Sequence, residues 1–434
     1  MRHWFKDKHF KAMLKNSGYL AASRGANAIC GLATLAFTGR GLGVVLFGLL
    51  VVIHSYAKAA SSIIRFQSWQ LIVRFGTKGL ATGDDRGFRD ATGFAFALDV
   101  VSGILGMALA IALLPLLADW FHIPQQYQKL AALYCLLLPT MAAATPVGVL
   151  RALDRFDLLS VQGTVTPTAR AILTGVAWWF ELPFTAYVLI WFVTDLAGDL
   201  LMWWMAAREM RRHGLLKGIR PNLSARGLEG GWKFAWAVNV TGSLAAAWGP
   251  VANLLVGGLL GPVSAGLYRI SQTLIDSAAK PSDMLAKVFY PEVVRLDLRT
   301  GHPWRLMLRS AVLTGAVALA CALAIAAGGR PLLTLLFGPE FAPAFPVLMV
   351  MIIALPLTMI AFPLGPMLYA VDRANAPLVA RAVGAGIYLA AIVPLTQRYD
   401  VVGAAIAFVI GNAAMIALMM RSLWVEYRRL RVTR

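Results

Sequence analysis

Twelve apolar stretches, each long enough or nearly long enough to cross a lipid bilayer, constrain this 434-residue chain more than any other feature. Hydrophobic residues make up 59% of the chain and charged residues only 14%, which excludes a set of soluble domains of the same total length. We therefore predict an all-α polytopic membrane protein with twelve transmembrane helices. The predicted spans are residues 17–38, 42–64, 92–117, 130–150, 164–180, 184–206, 234–258, 263–286, 310–327, 345–370, 379–395 and 401–420.

The distribution of positive charge orients these spans. With twelve spans, both termini and alternate loops fall on one side, which carries 31 of the 40 Lys and Arg residues, whereas the opposite loops carry four. An excess of Lys and Arg marks the cytoplasmic side of a membrane protein, so both termini are predicted to be cytoplasmic. The net charge of +19 is accordingly expected to orient the protein and to contact membrane lipids, and no nucleic-acid partner is expected.

A polar stripe runs along the second predicted span. His54, Lys58, Ser61 and Arg65 recur at helical spacing in a segment whose other residues are mostly apolar or small. Because such a stripe must turn away from lipid, it predicts the wall of a water-filled cavity. A second stripe, displaced by 218 residues, lies on the eighth predicted span and consists of Arg269, Gln272, Asp276, Lys280 and Asp283.

The same displacement of 218 residues relates many other positions, which indicates an internal duplication. For example, Leu42-Gly43 matches Leu260-Gly261, and Asp154-Arg155 matches Asp372-Arg373. Each half holds an even number of spans, so the halves are parallel and are expected to enclose a central cavity. The predicted domains are a basic interfacial segment 1–16, an N-terminal six-helix bundle 17–206, a basic cytoplasmic linker 207–233, a C-terminal six-helix bundle 234–420 and a basic cytoplasmic tail 421–434.

Five basic and five acidic residues lie inside the predicted spans. Each costs about 2.5–3.5 kcal/mol at the centre of a lipid-exposed helix, so these residues must pair, snorkel to an interface or line water. Arg170, Lys280 and Asp283 lie towards helix ends, where snorkelling is the expected explanation. Deeper cations are expected to serve function, although a static salt bridge explains any one of them comparably well. The deep cations are Arg24, Lys58 and Arg269.

The partition of these charges predicts two roles. The first, second, seventh and eighth spans carry a surplus of cations, so they are expected to bind an anionic substrate, with Asn239 among the candidates for contacts to hydroxyl groups. The third and sixth spans carry acids and no cation, so their carboxylates are candidates for H⁺ or Na⁺ coupling. The predicted cavity residues are Arg24, His54, Lys58, Arg269, Gln272, Asp276 and Lys280, and the predicted coupling residues are Asp99, Asp195 and Asp199.

Three local motifs together resemble the oligosaccharide-lipid flippases of bacterial polysaccharide export, in the multidrug/oligosaccharidyl-lipid/polysaccharide exporter superfamily. They are Arg65-Phe66-Gln67-Ser68-Trp69-Gln70, Leu153-Asp154-Arg155-Phe156-Asp157 and Phe337-Gly338-Pro339-Glu340-Phe341. The resemblance implies a multi-pass protein of the bacterial inner membrane with two rocking six-helix bundles and a cationic cavity. It also implies a polyprenyl-pyrophosphate-linked glycan as substrate, and a polysaccharide polymerase and chain-length machinery as neighbours. The peptidoglycan-precursor flippases of the superfamily have two further C-terminal helices, so we expect the polysaccharide branch.

Three alternatives remain. A major-facilitator solute transporter shares twelve spans and parallel halves, and residues 79–86 imitate that family's loop between its second and third spans. A drug or cation antiporter of the same superfamily is the second alternative. A membrane enzyme ranks last, because the sequence has no metal-binding, nucleophile-elbow or phosphate-loop signature. We therefore expect no enzymatic activity and no cofactor apart from a coupling ion.

Overall fold

The computed structural model describes residues 8–432 except 78–79, 81–84, 142–143, 226, 295, 297–299 and 374. It describes the backbone alone for residues 8–24, 241, 245, 281, 283–284, 287–288, 290–292, 294 and 430–432. The predicted all-α class is confirmed: this described part is helical and contains no β-strand. Six of its helices are long and apolar enough to cross a membrane, or seven if a pair bent by 43° within 125–152 forms one span. The exact number of twelve spans and the cytoplasmic termini stay predictions.

The chain forms two compact units. The first unit contains residues up to Leu42 together with Ile53–Ala246, and the second contains Gly43–Val52 together with the chain from Ala247 onward. The helices that begin in the first unit are α1 (Lys8–Ile64), α2 (Trp69–Leu71), a π-helical turn (Ile72–Gly76), α3 (Asp85–Leu117), α4 (Gln125–Cys135), α5 (Leu138–Met141), α6 (Thr145–Ala152), α7 (Phe156–Trp179), α8 (Phe184–Arg212) and α9 (Gly231–Ala246).

The second unit continues the all-helical pattern. Its helices are α10 (Pro250–Leu260), α11 (Pro262–Val294), α12 (His302–Phe337), a 3₁₀ turn (Pro339–Phe341), α13 (Ala344–Met351), α14 (Ala354–Ile360), α15 (Leu364–Ala370) and α16 (Asn375–Val432).

Two helices each contain two of the predicted spans. A residue with non-helical backbone angles interrupts each of them, Gly43 in α1 and Asp400 in α16. Gly43 has a φ of 67°, a conformation that glycine adopts without steric cost. Its repeat partner Gly261, which separates α10 from α11, has a φ of 86° and the same ψ of 172°. Gly261 thus lies between the predicted spans 234–258 and 263–286, whereas the equivalent break at Gly43 lies just inside the predicted span 42–64.

The first unit includes α9, although most of that helix falls in the predicted C-terminal bundle 234–420. The reason is a set of hydrogen bonds at the end of α1, where the last carbonyl groups of a helix lack intrahelical partners. Asn239 Nδ2 donates to the carbonyl oxygens of Ile63 at 3.1 Å and Arg65 at 2.9 Å, and Ser243 Oγ donates to the Ile63 oxygen at 3.2 Å. Asn239, expected to contact sugar hydroxyls, therefore caps α1.

The internal duplication is visible in the hydrophobic cores. One core cluster of the first unit contains Val149, Leu150 and Met205, all buried. The corresponding cluster of the second unit contains the residues at the same displacement of 218, which are Met367, Leu368 and Leu423. The turns that follow repeat as well, because Asp154 and Asp372 have positive φ angles of 57° and 60°. The two halves therefore share local packing and not only sequence spacing.

An arginine–glutamate clamp recurs beside each of these turns. In the first unit, the Glu209 side chain is 2% exposed and accepts from Arg155, while its other oxygen lies 3.0 Å from Arg212 Nη1. In the second unit, Glu426 accepts from Arg373 Nε at 2.8 Å, and Arg429 Nη1 lies 3.3 Å away. Each clamp ties the loop after one broken span to the end of the last helix of its half, so the Asp-Arg motif has a structural role.

Close packing at two equivalent glycines holds the second unit together. A side chain at Gly48 would overlap the carbonyl group of Pro262. A Cβ atom at Gly266, the repeat partner of Gly48, would lie 3.2 Å from the Gly48 Cα. Only glycine permits this approach of the segment 43–52 to the start of α11.

Candidate functional site

A cluster of charged and aromatic side chains surrounds Asp195 inside the first unit. Asp195 lies on α8, and its carboxylate is 2.6 Å from Arg170 Nη2 of α7. The Tyr134 hydroxyl of α4 donates to the same carboxylate at 2.7 Å. Two basic residues of α1 complete the Asp195 cluster, because His54 Nε2 lies 3.8 Å and Lys58 Nζ 3.9 Å from the Asp195 oxygens. Four helices of the first unit therefore converge on one carboxylate.

Neighbouring groups fix the orientation of Arg170 and His54. Arg170 Nε donates to Thr194 Oγ1 at 2.7 Å, and its guanidinium lies 5.2 Å from the centre of the Trp191 ring. The His54 ring packs edge-on against Trp191, with ring centres 4.9 Å apart, and against Tyr134 at 5.8 Å. Aromatic contacts of this kind favour a defined ring orientation. The aromatic residues therefore hold the basic groups in place without competing for their charge.

Exposure differs sharply within the cluster. The side chains of His54, Arg170 and Asp195 are 13–15% exposed, whereas the Lys58 side chain is 38% exposed. Lys58 is also at the longest distance from the carboxylate. Among these four, the Lys58 ammonium is therefore the cation that an incoming anion can reach most directly.

The position of Arg170 corrects one expectation, which was that this residue snorkels to the membrane interface. Instead Arg170 pairs with Asp195, because opposite charges in contact reduce the cost of burying either one. Arg170 and Tyr134 were absent from the predicted site. The only sequence feature that pointed to Arg170 was its charge inside a predicted span, and no sequence feature pointed to Tyr134.

Asp199 lies one turn beyond Asp195 on α8. Its Oδ2 atom is buried and has no hydrogen-bond partner in the described part of the chain. Lys58, Asp195 and Arg65 are the charged groups that act on it electrostatically. Asp199 thus has an acceptor atom available next to the Asp195 cluster, and its predicted role in ion coupling stays a prediction.

Asp99 belongs to a different network, which stabilises a break in the fourth predicted span. The side chain is 1% exposed, and its Oδ1 atom accepts a hydrogen bond from Ser68 Oγ at 2.6 Å. Its Oδ2 atom accepts from the backbone N–H groups of Ala144 and Thr145 and from Thr145 Oγ1, each at 2.7 Å. Asp99 therefore caps the N-terminus of α6, where a negative charge is favoured by the free N–H groups. This geometry gives it a structural role, and ion coupling at Asp99 remains untested.

The motif of residues 65–70, which resembles the flippase family, lies at the start of α2 and contacts α6 and α9. Phe66 packs edge-on against Trp236 of α9, with ring centres 5.1 Å apart. The guanidinium of Arg151 lies 3.9 Å from the centre of the Trp69 ring. These contacts connect the end of α1 to α6 and α9, so the motif serves the fold of the first unit.

The second polar stripe lies on α11 in the second unit. Gln272 is 2% exposed, and its Nε2 atom donates to the Trp248 carbonyl oxygen, while its Oε1 atom is without a partner among the described residues. Arg269 is partly buried, and within the described residues its guanidinium makes no hydrogen bond; Asp276 is the charge that acts on it. Asp276 is exposed and Lys280 partly exposed. The side chains of Arg24 and Asp283 lie outside the described part of the chain.

The chain matches known proteins over most of its length. Residues 13–291 match the model of a family described as polysaccharide biosynthesis protein. A relative named inner membrane protein YghQ, from Escherichia coli strain K12, is 42% identical over 347 residues, which cover 80% of this chain and 98% of the relative.

Solved structures of transporters share the fold. An inward-facing multidrug resistance MATE family transporter of the MOP superfamily has a TM-score of 0.71 at 13% identity, covering 95% of this chain and 98% of that one. The lipid II flippase MurJ, in an inward closed conformation, has a TM-score of 0.69 at 11% identity, covering 96% and 90%. The chain is thus a multi-pass protein of the inner membrane with the fold of these transporters. It belongs to the polysaccharide biosynthesis protein family.

Proposed function

We propose that this chain flips polyprenyl-pyrophosphate-linked oligosaccharide repeat units across the inner membrane by alternating access, for the assembly of surface polysaccharide. The observation that carries the proposal is the Asp195 cluster, in which cationic side chains gather inside the spans and Lys58 remains accessible. Membership of the polysaccharide biosynthesis family and the fold of a lipid II flippase support the same substrate class.

Moving this substrate through a membrane requires polar and cationic groups, which the chain supplies. A pyrophosphate and its sugars cannot cross about 30 Å of hydrocarbon without groups that replace water. Lys and Arg side chains supply charge-assisted hydrogen bonds to phosphate oxygens. In this proposal Lys58 and Arg269, the deep cations predicted to line a water-filled cavity, supply these hydrogen bonds to the pyrophosphate.

The charge balance of the Asp195 cluster suggests how an ion could be coupled to transport. Lys58, Arg170 and Arg65, the last of which acts on Asp199, carry three positive charges against the two negative charges of Asp195 and Asp199. A proton bound by His54 or by Asp199 therefore increases the net positive charge of the group, which favours an anionic substrate. Release of that proton on the opposite side would weaken binding there. A Na⁺ ion held by the free oxygen of Asp199 is the other possibility in the same scheme.

In this proposal the chain makes and breaks no covalent bond, so no catalytic residue and no bound organic cofactor are required. Its product is the lipid-linked repeat unit on the outer face of the membrane. A polysaccharide polymerase with its chain-length machinery is the class of partner that would consume this product.

A deletion strain tests the proposed function. We expect deletion to abolish the surface polysaccharide of that pathway and to leave lipid-linked repeat units on the cytoplasmic face, and the wild-type gene to restore export. Normal surface polysaccharide in a deletion strain without a redundant flippase would contradict the assignment. Such a strain also needs an intact polymerase, because loss of the polymerase leaves repeat units on the outer face.

A drug or cation antiporter is the second candidate, and the paired acids Asp195 and Asp199 on α8 favour it, since two carboxylates can hold a small cation. The basic residues around Asp195 weigh against it, because they already neutralise that carboxylate. Efflux of an organic cation by the purified protein in vesicles, with no movement of lipid-linked glycan, would favour the antiporter.

A further inference from the structure

Asn253 is a buried residue of the second unit that belongs neither to the Asp195 cluster nor to the second polar stripe. It is 1% exposed, and both its Nδ2 and Oδ1 atoms are without hydrogen-bond partners in the described part of the chain. A buried polar group without a partner is destabilising, because it loses its hydrogen bonds to water and gains none in the protein. A carboxamide with two such atoms therefore needs an explanation beyond packing.

The register of the hairpin formed by α10 and α11 indicates which residue of α11 faces Asn253. The chain reverses at Gly261, and a Cβ atom at Gly257 would lie 3.5 Å from the Ala265 Cβ, four residues on the other side of the reversal. One helical turn further from Gly261, the same register pairs Asn253 with Arg269. The hydrogen bond from Gln272 to the Trp248 carbonyl oxygen continues this pairing towards the far end of the hairpin.

Three polar groups of this hairpin have no hydrogen-bond partner within the described residues. They are the amide of Asn253, the Oε1 atom of Gln272 and the guanidinium of Arg269, on which Asp276 acts only electrostatically. Together they offer N–H donors with one positive charge, and amide oxygens as acceptors. Donors next to a guanidinium suit phosphate oxygens, whereas the amide oxygens suit the hydroxyl groups of an attached sugar.

We propose that Asn253, Arg269 and Gln272 form the binding site in the second unit for the pyrophosphate and first sugar of the lipid-linked substrate. This inference rests on the proposed function. Arg269 supplies the charge, Asn253 Nδ2 donates to a phosphate oxygen, and Gln272 Oε1 accepts from a sugar hydroxyl. Asp276 competes with the substrate for Arg269, so binding exchanges one anionic partner for another.

Asn412 provides a matched control in the same unit. It is likewise buried, at 6% exposure, but its Nδ2 atom donates to the Phe408 carbonyl oxygen at 2.9 Å. Asn412 thus represents a buried asparagine with a structural role. Leucine has a similar size to asparagine and no polar atoms, so Asn253→Leu and Asn412→Leu remove the same groups from two different settings.

The test uses the purified full-length protein in lipid nanodiscs, with farnesyl pyrophosphate as the probe and farnesol as its uncharged counterpart. We expect Asn253→Leu to bind farnesyl pyrophosphate roughly 10- to 100-fold more weakly than the wild type, as for a lost hydrogen bond to a charged group. Its response to farnesol should equal that of the wild type. Its thermal midpoint should be unchanged or higher, because the substitution removes an unsatisfied buried group. Asn412→Leu should lower the midpoint and leave the affinity of the folded protein unchanged.

Two results would overturn the proposed binding site. One is wild-type affinity for farnesyl pyrophosphate in Asn253→Leu; the other is a fall in its thermal midpoint as large as that of Asn412→Leu. If Arg269→Ala abolishes binding while Asn253→Leu does not, the role of Asn253 fails and the proposed function survives. Normal surface polysaccharide in the deletion strain would instead contradict the proposed function itself.

Discussion

The Arg170 guanidinium lies 2.6 Å from the Asp195 carboxylate, so two opposite charges form an ion pair inside the membrane-embedded first unit. This pair joins α7 to α8. Tyr134 and the basic residues of α1 also contact the Asp195 carboxylate. The arrangement leaves Arg170 occupied and Lys58 accessible. The carboxylate of this buried ion pair is thus also the one nearest Lys58, the proposed substrate-binding cation.

Removing the charge of Asp195 should destabilise the protein strongly. Asp195→Asn leaves Arg170 buried without a counter-ion, and breaking a buried ion pair costs about 3–5 kcal/mol. We expect a clear fall in the thermal midpoint of the purified protein. Replacing both partners, in Arg170→Met with Asp195→Leu, should recover part of the loss, because no isolated charge remains.

The matched control for this experiment is the exposed pair Arg89 and Asp85, 3.4 Å apart on the first turns of α3, with side chains 29% and 43% exposed. Asp85→Asn should change stability by less than about 1 kcal/mol. An Asp195→Asn midpoint as close to the wild type as that of Asp85→Asn would contradict the structural importance of the buried pair.

Sequence patterns predicted the elements of this fold better than the contacts between them. Helical content, the duplication and the breaks at Gly43 and Gly261 follow from hydropathy and glycine placement, which are local properties. The pairing of Arg170 with Asp195 depends on which helices are neighbours, and no local pattern carries that information. The cap on α6 by Asp99 escaped prediction for the same reason, since donor and acceptor are 45 residues apart.

Asp99 should behave as a structural residue. Asp99→Ala removes the acceptor for two backbone N–H groups at the start of α6, and loss of a helix cap costs about 0.5–2 kcal/mol, more when the N–H groups stay buried. We expect a lower thermal midpoint and lower yield. The pH dependence of transport by the surviving folded protein should match the wild type. A shifted pH profile with unchanged stability would instead support ion coupling at Asp99.

Gly48 should tolerate no side chain. Gly48→Ala places a methyl group against the Pro262 carbonyl, so it should separate the segment 43–52 from α11 and destabilise the second unit. Gly386→Ala is the control, because a Cβ atom there meets nothing within 4 Å on the helix α16. That change should be neutral or stabilise by up to about 1 kcal/mol through helix propensity. Equal thermal midpoints for the two variants would contradict the close packing at Gly48.

The ion pair after α6 predicts a small dependence of stability on acid pH. Asp157, which precedes the predicted span 164–180, bonds Arg155 Nε and Nη2, and this guanidinium holds the pKa of Asp157 below its usual value. A depressed pKa stabilises the folded state above the unfolded value of about 3.9, and that contribution is lost as pH falls through the folded pKa. Asp157→Asn should therefore be less stable than the wild type at pH 6, by less than about 1 kcal/mol for so exposed a pair, with the gap closing below about pH 4. A gap that widens in acid would contradict this sign.

Movement of a lipid-linked glycan by the purified protein tests the central claim most directly. In sealed vesicles, a polyprenyl-pyrophosphate-linked oligosaccharide should reach the outer leaflet faster with the wild type than with empty vesicles. Lys58→Ala and Arg269→Ala should each slow that movement at least tenfold while keeping the wild-type thermal midpoint within a few degrees, and Gly386→Ala should move the substrate normally. Wild-type vesicles no faster than empty ones, or full activity in both substituted proteins, would contradict the account.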